Sequence, residues 1–134
     1  MRGAGVATLS PPSLAESERV SHDLARALSA GNLDTAAACF ARDACLITPD
    51  GTAVHGRERI RSVLAQLVLA RAQVAVELSS TLVAGGIALT RERWTIRSPG
   101  ADGRALVRRT EPMLVLRWIE EEWKLALAAP WGWS

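Results

Sequence analysis

The chain has 134 residues, 49% hydrophobic and 22% charged, with a formal net charge of +2. That length fits one domain, the composition is too apolar for a disordered chain, and no apolar run approaches the ~20 residues a membrane-spanning helix needs. Fifteen of the sixteen cations are Arg, most with acids nearby in sequence, so no dense basic track marks a nucleic-acid binder; two Cys and two His argue against a disulfide framework and a zinc site.

Residues 1–12 are small, apolar or Pro, without a periodic pattern and without the apolar core of a secretory signal. They predict a disordered start ahead of one domain over 13–134, in a cytoplasmic protein. Ser13 and Glu16 then have the spacing of a capping box, and Val20, Leu24, Ala27 and Leu28 recur at three and four, which predicts a first helix. Gly31 ends it, and Asn32 caps a second helix with Leu33, Ala36, Ala37 and Phe40 as its apolar stripe. Residues 44–48 read as a short strand and Pro49-Asp50-Gly51 as a turn. A third helix follows Gly56, with Ile60, Val63, Leu64 and Leu67 inward.

From Gln73 the period changes to two: Val74, Val76 and Leu78 alternate with small or polar residues. Gly85-Gly86 breaks the chain. Strands are expected over 87–98, 104–119 and 123–129, turned at 99–103 and 120–122. The order helix, helix, strand, helix and four-strand antiparallel meander predicts an α+β domain, with helices on one face of a curved sheet.

Several strings carry a resemblance: Ala30-Gly31-Asn32-Leu33-Asp34, Cys39-Phe40-Ala41-Arg42-Asp43-Ala44, Pro49-Asp50-Gly51, Val54-His55-Gly56-Arg57 with Ile60, Trp123-Lys124-Leu125 and Pro130-Trp131-Gly132. Together they resemble the NTF2-like superfamily, in its SnoaL-like and ketosteroid-isomerase-like branch, and most of all the SgcJ/EcaC-type proteins of enediyne and polyketide gene clusters. The resemblance implies a cone: three N-terminal helices packed on a strongly curved, mainly antiparallel sheet, a pocket at the wide end, and a dimer through the outer sheet face. It implies no cofactor.

Fold alone does not decide function here. Aligned through the matching strings, an isomerase's tyrosine donor falls at Leu24, its base at Thr48 and its protonated acid near Met113 or Leu114. None of these side chains can do that chemistry. The Asp-Asn that relatives of the enediyne-cluster type often carry before the final Pro-Trp-Gly is replaced by Ala128 and Ala129.

The 99–103 hairpin suggests a register. A constant pairing sum of about 201 sets Glu92 opposite Arg109, Trp94 opposite Val107 and Thr90 opposite Glu111. One face then holds Ala88, Thr90, Glu92, Trp94 and Ile96 with Ala105, Val107, Arg109, Glu111 and Met113. Such a face would be an apolar wall with a few convergent polar groups. Glu92, Glu111 and Arg109 are thus the candidate catalytic residues: two acids sharing one Arg, suited to proton transfer. The alternative is a cross-strand salt bridge at an open rim. Trp94, Met113, Thr48, Asp50, Leu24 and Trp131 are candidate ligand-binding residues, with the two Trp as flat walls.

The expected function is a cofactor-free homodimer holding a hydrophobic small molecule, a polyketide or polyene intermediate, which it binds, shields or cyclises by acid–base catalysis. Neither nucleic acid nor membrane is expected as a partner. The alternatives are an epoxide hydrolase or isomerase-type enzyme, and a non-catalytic dimeric scaffold.

Overall fold

A computed structural model describes residues 14–130; Ser13, the expected disordered start and Trp131 lie outside the described residues. Helix α1 (Leu14–Ser29) buries Leu24, Ala25, Ala27 and Leu28. Extending that face backward by helical spacing brings in Ser21 and Ser17, both 0% exposed. Gly31, at φ 75°, lets the chain fold back so that the Asn32 amide reaches Ala27 O at 2.8 Å. The Asn32 side chain accepts from Thr35 N (3.2 Å) and starts α2 (Leu33–Ala38). Phe40 does not complete that helix's stripe. It opens β1 (Phe40–Ile47), which begins four positions earlier than the expected strand.

The Pro49-Asp50-Gly51 turn joins β1 to a short strand with no sequence signal of its own, β2 (Ala53–His55). Gly56, at φ 93°, donates to Ala44 O (2.8 Å) and swings the chain into α3 (Arg57–Leu69), whose Ile60 and Leu64 are sealed in the core. The third helix therefore follows a β-hairpin, so the three helices do not form one N-terminal block.

Five further strands complete the sheet: β3 (Gln73–Ala84), β4 (Ile87–Pro99), β5 (Ala105–Thr110), β6 (Met113–Ile119) and β7 (Glu122–Ala128). The strand order is β2-β1-β7-β6-β4-β3, with β5 also on β4. All pairs are antiparallel except β1 with β7, which brings the last strand beside the first. The strand expected over 104–119 is two strands, interrupted at Glu111-Pro112. Pro lacks the N–H a ladder needs, and at the break Glu92 N donates to Pro112 O (3.0 Å). Register shifts between Leu78 and Ser80, and between Val115 and Leu116, add local bends to the sheet.

The helices cover the face that carries Ala88, Thr90, Glu92, Trp94 and Ile96, all buried. Ser29 of α1 ties to β3, its Oγ accepting from Val74 N (2.8 Å). Leu24, Phe40, Leu46, Leu64, Leu114, Leu116 and Leu125, each no more than 1% exposed, fill the space between. The opposite face carries an apolar row across four strands, in which Leu82 pairs Leu89, Leu89 pairs Val115 and Val115 pairs Leu127. No helix among the described residues is long and apolar enough to cross a membrane.

Candidate functional site

Among the described residues, the helix-covered face of the sheet buries one acid. Glu92 is 0% exposed and its carboxylate accepts three hydrogen bonds. Ser21 Oγ and Thr90 Oγ1 donate to Oε2 at 2.6 and 2.5 Å, and Trp94 Nε1 donates to Oε1 at 2.7 Å. Strand period places Thr90, Glu92 and Trp94 side by side on β4, and the α1 stripe lowers Ser21 onto them. Three neutral donors and no ion pair among the described residues hold this group. A buried carboxyl in that setting is a closed polar knot, with three of its roughly four acceptor sites engaged and no access for a water-sized molecule.

The other two members of the expected catalytic set are elsewhere. The true partner of Trp94 is Thr110, three positions from the expected Val107, and Arg109 pairs Thr95. An odd displacement moves every β5 side chain to the other face. Arg109 and Glu111 are consequently exposed on the outer side. There Glu111 and Glu77 flank Arg93 at 3.8 and 3.5 Å, in contacts where all three side chains are more than 60% exposed. Exposed pairs of this kind contribute little. The expected convergence of Glu92, Arg109 and Glu111 on one pocket is corrected accordingly.

Met113 pairs Arg91 and is 48% exposed on the outer face, so it does not share a wall with the buried Trp94. Leu24 faces the interior at 1% exposure, packed in the core. Thr48 and Asp50 serve the β1–β2 turn. Thr48 Oγ1 donates to Asp50 Oδ1, which also accepts from Thr52 N (3.1 Å). The Thr48 hydroxyl, then Thr52, hold the exposed Asp50 carboxyl below its ordinary value. His55 is exposed at the end of β2 and His22 is exposed on α1.

Open concavities lie outside the packed interior. One, of about 470 Å³, is a cleft between α1, α2 and the start of β7. A second, of about 630 Å³, lies over the Glu77–Arg93–Glu111 patch. A third, of about 420 Å³, is bounded by Arg42, Arg57 and Arg117 with Asp43 and Glu120. Among the described residues no three His, Cys, Asp or Glu side chains come together as a metal site would require.

A match to the SnoaL-like domain family runs from residue 22 to residue 123. The chain belongs to the SnoaL-like family. No curated protein matches it. Among solved structures, it is similar to a ketosteroid isomerase-like protein from Erwinia carotovora atroseptica, with a TM-score of 0.75 and 17% identity, over 87% of this chain and 92% of that one. It is similar to an NTF2-like protein with a cystatin-like fold from Novosphingobium aromaticivorans (TM-score 0.74, 12% identity, 85% and 77% covered). A candidate dehydratase of the NTF2-like family from Streptomyces avermitilis gives a TM-score of 0.76 at 15% identity, over 87% and 93%. At these identities the likeness is one of fold.

Within this SnoaL-like chain the residue that sequence reasoning missed is Ser21. The signal is in the helical spacing: four residues back from Leu28 is Leu24, and three further back is Ser21, a polar residue at a core-facing position. Such a residue calls for a buried partner, and Glu92 is that partner.

Proposed function

We propose that this SnoaL-like protein acts by binding and not by isomerase-type proton transfer, as a homodimer that carries a hydrophobic small molecule outside its sealed interior. The observation that supports this most is the closure around Glu92. A general acid or base must come within hydrogen-bond reach of substrate, and this carboxylate is 0% exposed with three donors already on it. The resemblance puts two of the isomerase's hydrogen-bond donors at Leu24 and near Met113 or Leu114; Leu24 and Leu114 are packed in the core, Met113 is half-exposed on the outer face, and none of the three carries an acidic proton. The resemblance to SgcJ/EcaC-type proteins suggests natural-product biosynthesis as the setting, with a polyketide or polyene intermediate as cargo. The apolar row on the outer sheet face supports the dimer.

Native mass spectrometry of the protein purified from its producing cells tests this reading. It expects a retained neutral small molecule that is returned chemically unchanged after incubation with the protein. A molecule that is steadily converted would overturn it.

One observation favours a second reading, acid–base cyclisation or epoxide hydrolysis. Among the described residues Glu92 is the one acid that is fully buried, on the inner wall of the sheet, where a catalytic acid would stand if the interior opened. In that case turnover of the retained compound, or of simple epoxides, is lost in Glu92→Gln.

A further inference from the structure

The outer side of the sheet changes character along β4. From Arg91 onward its outward residues are Arg91, Arg93, Thr95 and Arg97, at every second position and so roughly 6.7 Å apart. Pairing sets two rows across the neighbouring strands, Ala75–Thr95–Arg109 and Glu77–Arg93–Glu111. These rows floor the concavity of about 630 Å³. Arg97 and Arg91 stand one row beyond it, at either end.

The charges on this side are unequal. Arg91, Arg93, Arg97 and Arg109 face two acids, Glu77 and Glu111, and both acids lie against Arg93, at 3.5 and 3.8 Å. Arg91, Arg97 and Arg109 are exposed, with no ion pair or side-chain hydrogen bond among the described residues. In the turn beyond, Asp102 accepts from Arg104 N at 2.9 Å. The formal surplus of the whole chain is +2, and four cations against two acids put as large a surplus on this one side.

Three unpaired guanidinium groups along a trough select oxyanions, which Arg holds through two parallel N–H donors. A continuous phosphate chain does not suit this trough, because it would pass over Glu77 and Glu111. Discrete carboxylates can meet the arginines and leave that row alone. The trough spans β3, β4 and β5, and two interstrand spacings of about 4.8 Å make it about 10 Å wide. An α-helix with its side chains is about 10–12 Å across. Acids four residues apart on one helix face are about 6 Å apart along its axis, close to the step from Arg97 to the row of Arg109.

We infer that the outer side of β3, β4 and β5 docks an acidic helix of a partner protein, with carboxylates on Arg97, Arg109 and Arg91 and none over Glu77 and Glu111. This surface adjoins the apolar row of the proposed dimer without including it, and the inference does not depend on the cargo.

Two fluorescein-labelled, stapled Ala/Gln helices of about 18 residues and one composition test it on the full chain. One carries Glu at i, i+4 and i+14, on a single face at roughly the spacing of Arg97, Arg109 and Arg91; its isomer carries Glu at i, i+5 and i+10, spread around the helix. By fluorescence anisotropy at about 50 mM NaCl, the one-face helix is expected to bind about tenfold more tightly than its isomer. Arg97→Gln with Arg109→Gln removes that preference. Arg19→Gln with Arg59→Gln, at exposed positions on α1 and α3, makes the same change in net charge and keeps it. No binding of the one-face helix, equal binding of the two isomers, or a preference that survives Arg97→Gln with Arg109→Gln would each overturn the inference. Tighter binding of oligo-dT of about 20 nucleotides than of the helix would overturn it in favour of nucleic acid. A shift from dimer to monomer in Arg97→Gln with Arg109→Gln would overturn it in favour of a second copy of the chain.

Discussion

Glu92 shows what a single buried acid does to its neighbours. Trp94 Nε1 can only donate, whereas the Ser21 and Thr90 hydroxyls can turn to donate or accept. Glu92→Gln can therefore keep its amide oxygen toward Trp94 and offer its NH2 to the two hydroxyls, at an expected cost below about 1 kcal/mol. Glu92→Leu orphans all three donors. Removing a buried carboxylate offsets part of that loss, so the expected destabilisation is about 3 kcal/mol. Urea unfolding of the two variants measures both; equal losses would mean that the hydrogen bonds do not hold this region together. The residue was legible in part. Alternation along residues 88–96 was enough to put Glu92 and Trp94 inside, because both sit on one strand of strict period. Arg109 and Glu111 were not legible, because their facing depends on how a second strand is paired, and a three-position difference reverses it.

Elements were legible wherever their start or stop is written in local chemistry. Gly31, Asn32 and Gly56 mark helix ends that the structure keeps, and the 120–122 turn is kept as the β6–β7 connection. What failed was local structure imposed from a distance. β2 has only three residues and exists because β1 offers it an edge, and β1 reaches back to Phe40 because β7 pairs with it there. The β6–β7 turn also carries a cost. Ile119 pairs Glu122, so Glu120 and Glu121 form a two-residue loop, and both have positive φ, at 50° and 64°. That conformation suits Asn-Gly and strains a side chain with a Cβ by roughly 1 kcal/mol per residue or more. The double substitution Glu120→Asn with Glu121→Gly is expected to raise stability by about 1–2 kcal/mol in thermal or urea unfolding. An unchanged or lowered midpoint would show that the turn relaxes in solution or that these carboxylates stabilise the fold in another way.

At the scale of the whole molecule the sheet has one face spent on the core and one left over, and the left-over face is divided. One part is charged, with Arg93 between Glu77 and Glu111. The other is the row Leu82, Leu89, Val115 and Leu127, beside Ile87 and Met113, with Leu82 68% and Ile87 54% exposed. A continuous apolar patch of this kind on a small domain marks an association surface. A second copy of the same chain can meet it symmetrically, since a two-fold interface uses one patch on both partners. The two parts make opposite demands on salt. Exposed ion pairs are screened when the Debye length falls from ~10 Å at 0.1 M salt to ~3 Å at 1 M, whereas apolar burial is not weakened. Sedimentation equilibrium should therefore find a dimer that survives at about 1 M NaCl and persists in Arg93→Ala, but falls to monomer in Leu89→Glu. Linkage adds a second readout, because a dimer's melting temperature rises with protein concentration and a monomer's does not. Dissociation by salt would move the interface to the charged part of the face, and a monomer at every concentration would remove the dimer from the proposed function.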